Sequence, residues 1–279
     1  MIGAAIVGMH HGLNRENKFA SITVLRDMKK LLLLLCLFVF ASSGFAMDFK
    51  NGEELIAAMR TRYAGKWYKT LTFKQVTTTH KPDGTAEKEV WYEALTAPGQ
   101  LRIDFDPVEK GNGILFSGGK LYSFKDGKLA GSRSFVHPLL VLGFDVYMQS
   151  PETTIGQIKG MGIDVSVIDQ DTWQGKAVYI VGAKKGDLKT PQFWIDKKDL
   201  LFVRMIQLGG RDKKVVQETQ FNKYVKVKGG GWVSAEVKFF DDGRLRTSED
   251  YSEIRVGKKL EKALYDPEKW MTVKRDYFK

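Results

Sequence analysis

From Trp67 onward apolar and polar residues alternate with a period of two, and turn-favouring residues separate the alternating runs. That pattern predicts half-buried β-strands joined as hairpins. WYKTLTFKQVTTTH meets TAEKEVWYEAL across Pro82-Asp83-Gly84, Ala97-Pro98-Gly99 leads into QLRIDFD, and Gly118-Gly119 joins GILFS to KLYSFKD before Asp126-Gly127 closes the next turn. The alternation resumes in DVSVIDQ, KAVYIVGAK, PQFWID, LLFVRMIQ, VVQETQFNKYVKV, GWVSAEVKFF and RLRTSEDYSEIRV, with glycine-containing turns between them. The reading is about twelve strands in antiparallel series.

Two stretches depart from the period of two. GEELIAAMRTRY (52–63) places Leu55, Ile56, Met59 and Tyr63 at helical spacing, with Glu53 and Glu54 in the first turn, where they complement the helix dipole. Between His137 and Gly162 the strands give way to two helices. HPLLVLGFDVYM carries Leu139, Leu140, Val141, Leu142 and Phe144 on nearly every side, and SPETTIGQIKG offers Ser150 as N-cap, Pro151 at the first helical position and Glu152 in the first turn. A helix apolar all round must be buried on more than one side. A core helix satisfies that, and so does a lid over an apolar ligand.

Three short helices cannot thickly cover so many strands, and twisted sheets beyond about ten strands tend to curl. The expected fold is therefore mainly β (α+β): a strongly curved antiparallel sheet forming an unclosed half-barrel, its concave face covered by short helices. Whatever the helices leave unfilled is a cavity. Leu101, Ile103 and Phe105 share one face of their strand, while Trp194 lies opposite Phe193 and Ile195, so one of those two sets must face inward. The expected wall is Ile103, Phe105 and Trp194, supplemented by Leu101, Phe116, Val203 and Met205, and the expected lid is Leu139, Leu140, Leu142 and Phe144.

The N-terminal region alters the picture of where this sheet works. MKKLLLLLCLFVFASSGFA (28–46) has the basic start, apolar run of about ten residues and small-residue end of a secretory signal peptide, too short for a spanning helix of about 20 residues. The expected organisation is a superfluous upstream extension at 1–27, a signal peptide at 28–46 cleaved after Ala46, and a single domain at 47–279. Cys36, the one cysteine, follows leucines rather than small residues, so lipidation is not expected, and no disulfide can form. The whole chain carries 44 Lys/Arg and 33 Asp/Glu; removing the five basic and two acidic residues of 1–46 leaves a net +8, which favours anionic surfaces.

Catalytic chemistry is thinly supplied. Beyond residue 46 the histidines are His80, beside a hairpin turn, and His137, before Pro138 at a helix start, and both read as turn or cap residues. The missing cysteines exclude a Cys-based zinc site. Asp104 and Asp106 share a strand face as a carboxylate pair would, yet the alternation with Leu101, Ile103 and Phe105 assigns them to the solvated side. SGGK and GQIKGMG lack the strand-loop-helix context of a phosphate loop. Interspersed charges give no basic stripe, so no nucleic-acid partner is expected.

FWIDKKDLLFVRM, NKYVKVKGGGWVSAEVKFF, RTSEDYSEIRV and ALYDPEKW, with its closing Tyr265-Asp266-Pro267, resemble in their order the LolA-type outer-membrane lipoprotein carriers and lipoprotein-sorting proteins. The resemblance covers residues 47 to 270. It implies an unclosed β-barrel plugged by helices, and a non-enzymatic periplasmic carrier, without cofactor, for lipoprotein acyl chains or other lipids. As partners it implies an inner-membrane release complex or RND-type exporter and an outer-membrane acceptor, with the carrier a monomer. The alternative is a non-enzymatic interaction or sensor module on the same scaffold. One departure stands out: the carriers place an arginine before the proline between two early strands, where it bonds to the lid, and this chain has Ala97 before Pro98. A latch on the lid must be built otherwise here.

Overall fold

The computed structural model describes residues 48–278, so the expected extension, signal peptide and cleavage site lie outside the described residues. One antiparallel sheet holds thirteen strands in the order β6-β5-β4-β3-β2-β1-β13-β12-β11-β10-β9-β8-β7 and does not close. The first meander is β1 (Thr70–His80), β2 (Ala86–Thr96), β3 (Gln100–Phe105), β4 (Gly113–Ser117), β5 (Lys120–Lys125) and β6 (Lys128–Ser134). The second is β7 (Ile168–Trp173), β8 (Lys176–Val181), β9 (Gln192–Asp196), β10 (Phe202–Gly209), β11 (Val215–Lys226), β12 (Trp232–Asp241) and β13 (Arg244–Val256). Pairing of β1 with β13 joins the first strand to the last and makes the two meanders one sheet.

Local chemistry explains the reversals. Asp126-Gly127 and Asp242-Gly243 have positive φ at both residues (49° and 75°, 47° and 79°), the turn whose twist matches a two-residue hairpin. The strand beyond the expected twelve is β6, KLAGSRS, exposed at every position. With no apolar face it shows no alternation, and its Lys128 and Arg133 suit an unpaired sheet edge.

The helices are α1 (Gly52–Arg62), α2 (Pro138–Gly143) and α3 (Pro151–Gly160). Asn51 caps α1 by accepting the Glu54 N–H at 2.9 Å, and Ser150 caps α3 by accepting that of Thr153 at 3.2 Å. Gly52 is required by close approach: a Cβ there would meet the Val181 side chain at 2.5 Å and the Val165 carbonyl at 2.9 Å. The chain leaves the sheet at its β6 edge and re-enters at its β7 edge, so the segment carrying α2 and α3 runs from one free edge to the other.

All three helices pack on the same face. Leu55, Ile56 and Met59 of α1, Leu140 and Leu142 of α2 and Ile158 of α3 share a core with Leu71, Leu95, Leu101, Phe116, Tyr179, Phe193, Phe202, Phe221 and Val237 of the sheet. On the opposite face, residues 260–278 cover β2 to β5, with Leu264, Tyr265, Trp270 and Tyr277 against Ala94, Leu115 and Phe124. That cover corrects the reading of Asp104 as solvated. Asp104 is fully buried, paired with Arg102 at 2.7 and 3.0 Å and bonded to the Tyr277 hydroxyl, while Arg102 stacks on Trp270 at 3.8 Å. Alternation separates the two faces of β3 but does not reveal that a distant segment will cover the second. Asp106 remains exposed. Among the described residues no helix is long and apolar enough to cross a membrane.

Candidate functional site

Beneath α2 the helix-bearing face is incompletely filled, leaving a cavity of about 200 Å³. Its floor comes from Phe73 of β1, Trp91, Glu93 and Leu95 of β2, Leu101 and Ile103 of β3, and Ile114 and Phe116 of β4. Phe221 of β11, Phe239 of β12 and Glu249 and Tyr251 of β13 continue the wall, and His137, Leu139, Leu140 and Phe144 from α2 and its flanks form the cover. The cavity adjoins a hollow of about 180 Å³ that shares His137, Leu139 and Phe239 but is lined also by Gln207, Gln217, Glu218 and Arg246. A smaller hollow of about 70 Å³ on the other side shares Phe116, His137 and Leu140 and reaches Asp145.

The expected residues are brought together only in part. Leu101, Ile103, Phe116, Leu139, Leu140 and Phe144 line the cavity. Phe105 stands next to it, its ring 4.7 Å from that of Trp91. Leu142 is fully buried in the helix-bearing core, and Met205 belongs to that core without lining the cavity. Trp194 and Val203 lie on the opposite face with Val178, Ile180 and Trp173. There Trp194 meets Trp173 edge-on at 5.6 Å and lies under the Arg204 guanidinium at 4.4 Å, which Glu218 holds through two 2.8 Å bonds. The cause is visible in β9 and β10. Phe193 and Ile195 take the helix-bearing face, and a bulge between Phe202 and Arg204 lets Phe202 and Met205 join them while Val203 turns away.

The cover is tied down at both ends. His137 caps α2 through Nδ1, which accepts the Leu139 N–H at 3.2 Å, and its ring meets Phe116 edge-on at 4.7 Å. Burial pushes the imidazole down to about 4, so it is neutral near neutral pH. Past α2, both carboxylate oxygens of Asp145 accept the backbone N–H of Gly99, at 3.1 and 3.0 Å. Burial raises that carboxyl to about 7 against the opposing pull of the Gly99 N–H. Farther on, the Tyr147 hydroxyl donates to the Leu200 carbonyl at 3.3 Å and accepts the Phe202 N–H at 3.1 Å, its ring stacked on Trp67 at 3.9 Å.

Two acidic groups on the cavity wall were not among the expected site residues. Burial, reinforced by the neighbouring Glu249 charge, holds Glu93 well above the usual carboxylate range. Burial raises Glu249 to about 7, opposed by the Tyr251 hydroxyl, which donates to it at 2.8 Å. Their signal was present in the chain: Glu93 interrupts an otherwise apolar face formed by Trp91 and Leu95.

No protein-family model matches this chain, and no curated protein matches it significantly. Solved structures do. An outer-membrane lipoprotein-sorting protein domain from Vibrio parahaemolyticus is similar with a TM-score of 0.54 and 12% identity, over 78% of this chain and 97% of that one. A DUF1329 family protein from Desulfovibrio piger aligns with a TM-score of 0.52 and 17% identity, over 77% and 95%. A LolA superfamily protein from Nitrosomonas europaea aligns with a TM-score of 0.50 and 10% identity, over 76% and 96%. At these identities the likeness shows the fold alone, an architecture this chain shares with each of the three.

Proposed function

We propose that the protein is a non-enzymatic carrier that takes acyl chains of lipoproteins or other lipids into the cavity under α2 and moves them through the periplasm toward the outer membrane. The observation that carries this reading is the cavity itself, walled by Phe73, Leu101, Ile103, Phe116 and Phe239 and roofed by Leu139, Leu140 and Phe144. Each CH₂ transferred from water into such a wall is worth about 0.8 kcal/mol, so burying part of an acyl chain offsets much of its cost of leaving a membrane. On this reading the sheet is a curved half-barrel with the cavity on its concave side, and α2 with its flanks is the part that moves aside.

Export rests on the signal-peptide pattern of residues 28–46, with residues 47–279 as the working domain. The net +8 of that domain suits an approach to anionic headgroups. The carrier acts as a monomer between an inner-membrane release complex or RND-type exporter and an outer-membrane acceptor. Native mass spectrometry of gently purified protein should find a lipid adduct, and the delipidated protein should bind a fluorescent fatty-acid probe. Absence of both adduct and probe binding would overturn the carrier reading in favour of a ligand-free interaction module.

A further inference from the structure

Two carboxyls line the otherwise apolar cavity. Glu93 on β2 and Glu249 on β13 both line it from either side of β1, Glu93 level with Phe73 and Glu249 level with Thr77, so they face each other on a diagonal roughly 16 Å long in backbone position. Among the described residues neither carboxyl is held in an ion pair. Arg246, the guanidinium that acts on Glu249, is committed to Asp241 at 3.2 Å. His137, the other nitrogen base on the wall, is neutral for the reason given above.

A third acceptor lies between the two carboxyls. Gln75 of β1 stands opposite Tyr251 in the sheet and is almost fully buried. Its Nε2 donates to the Thr77 hydroxyl at 2.7 Å, while its Oε1 has no partner. A buried carbonyl left without a donor costs about 1–3 kcal/mol, and two carboxyls in one apolar space cannot easily both ionise. A single positive donor group beside Gln75, midway along that diagonal, would satisfy the carbonyl and attract both carboxyls.

We infer that the cavity selects amphiphiles bearing a primary amine, whose ammonium group lies between Glu93 and Glu249 near the free Gln75 carbonyl while the hydrocarbon occupies the apolar wall. The inference rests on the carrier reading and narrows its cargo. A fatty acid, which carries a carboxylate, meets repulsion at the same place, and a fatty alcohol supplies a donor but no charge. Binding of the ammonium favours the ionised carboxyls, so protons leave the protein as the amine enters.

Isothermal titration of the delipidated protein at pH 7.5 with dodecylamine, dodecanol and dodecanoate, each below its micelle concentration, tests this. The expected order is dodecylamine at least tenfold tighter than dodecanol, with dodecanoate weakest. In Glu93→Gln and Glu249→Gln the amine-to-alcohol ratio should fall toward one. Repeating the wild-type titration in buffers of different ionisation heat reads proton release directly, so the test survives a variant that fails to fold. Equal affinity for amine and alcohol, tighter binding of dodecanoate, or amine binding without proton release would overturn the inference and leave the carrier reading standing. Failure of all three probes to bind would remove both.

Discussion

Both oxygens of the Asp145 carboxylate accept the single N–H of Gly99, which ties the segment after α2 to the turn between β2 and β3. The turn is Ala97-Pro98-Gly99, where the resemblance implies an arginine latch before the proline and this chain has Ala97. A backbone donor and an acid on the insert make the connection here instead. The polarity of the contact is inverted, because the titratable group here lies on the segment after α2 and the backbone donor on the turn.

That inversion carries a pH dependence. Asp145 and Glu249 are both raised to about 7 in the folded protein, against roughly 4 for an unfolded carboxyl. The folded state therefore binds more protons, so this stabilisation is complete below about pH 4, is lost as pH rises through about 7, and is flat beyond. Urea unfolding should show greater stability at pH 5 than at pH 8, and Asp145→Asn should reduce the difference. A curve that rises with pH across this window would contradict the assignment. Asp145→Ala, which strands the Gly99 N–H, should cost about 1–3 kcal/mol.

Leu142 and Leu139 sit three residues apart and should respond differently to truncation. Leu142 is fully buried in packed core, so Leu142→Ala should cost about 2–5 kcal/mol in urea unfolding. Leu139 is half-buried and borders existing empty space, so Leu139→Ala should cost under about 1 kcal/mol while changing the affinity of a fluorescent fatty-acid probe.

Trp194 provides the control on the opposite face. Trp194→Ala removes its contacts with Trp173 and Arg204 and should destabilise the fold by about 3–5 kcal/mol. Probe affinity, measured where the variant remains folded, should match the wild type. A specific loss of probe binding would place the site on the wrong face of the sheet.

The Arg102–Asp104 pair should cost more to break than to replace. Asp104→Ala leaves a guanidinium with no exposure and should cost about 3–5 kcal/mol. Its loss should also free the C-terminal segment that Arg102 holds through the Trp270 carbonyl at 2.8 Å, and limited proteolysis should then cut within residues 260–278. Replacing both partners, as in Arg102→Met with Asp104→Leu, should recover only part of the loss, because Arg275, the Tyr277 hydroxyl and the Trp270 carbonyl then lose their partner.

Local pattern determined a good deal about this protein. The alternating runs located twelve of the thirteen strands, Asp-Gly pairs marked hairpins because only residues tolerant of positive φ suit that turn, and Ser150 with Pro151 announced α3 through its cap. These features depend on neighbours close in the chain, so the chain displays them. β6 escaped because an edge strand with both faces in water needs no apolar alternation. What tertiary structure alone decided was which face meets what. A period of two separates Phe193 from Trp194 and Ile103 from Asp104, but it is silent on whether helices, a C-terminal segment or solvent lies against either side. The β1–β13 pairing brings Glu93, Gln75 and Glu249 onto one wall across more than 150 residues of chain, and the cavity exists because α2, arriving from the β6 edge of the sheet, leaves that part of the face unfilled. Those contacts are non-local, and a sequence read along its length records only what its neighbours require.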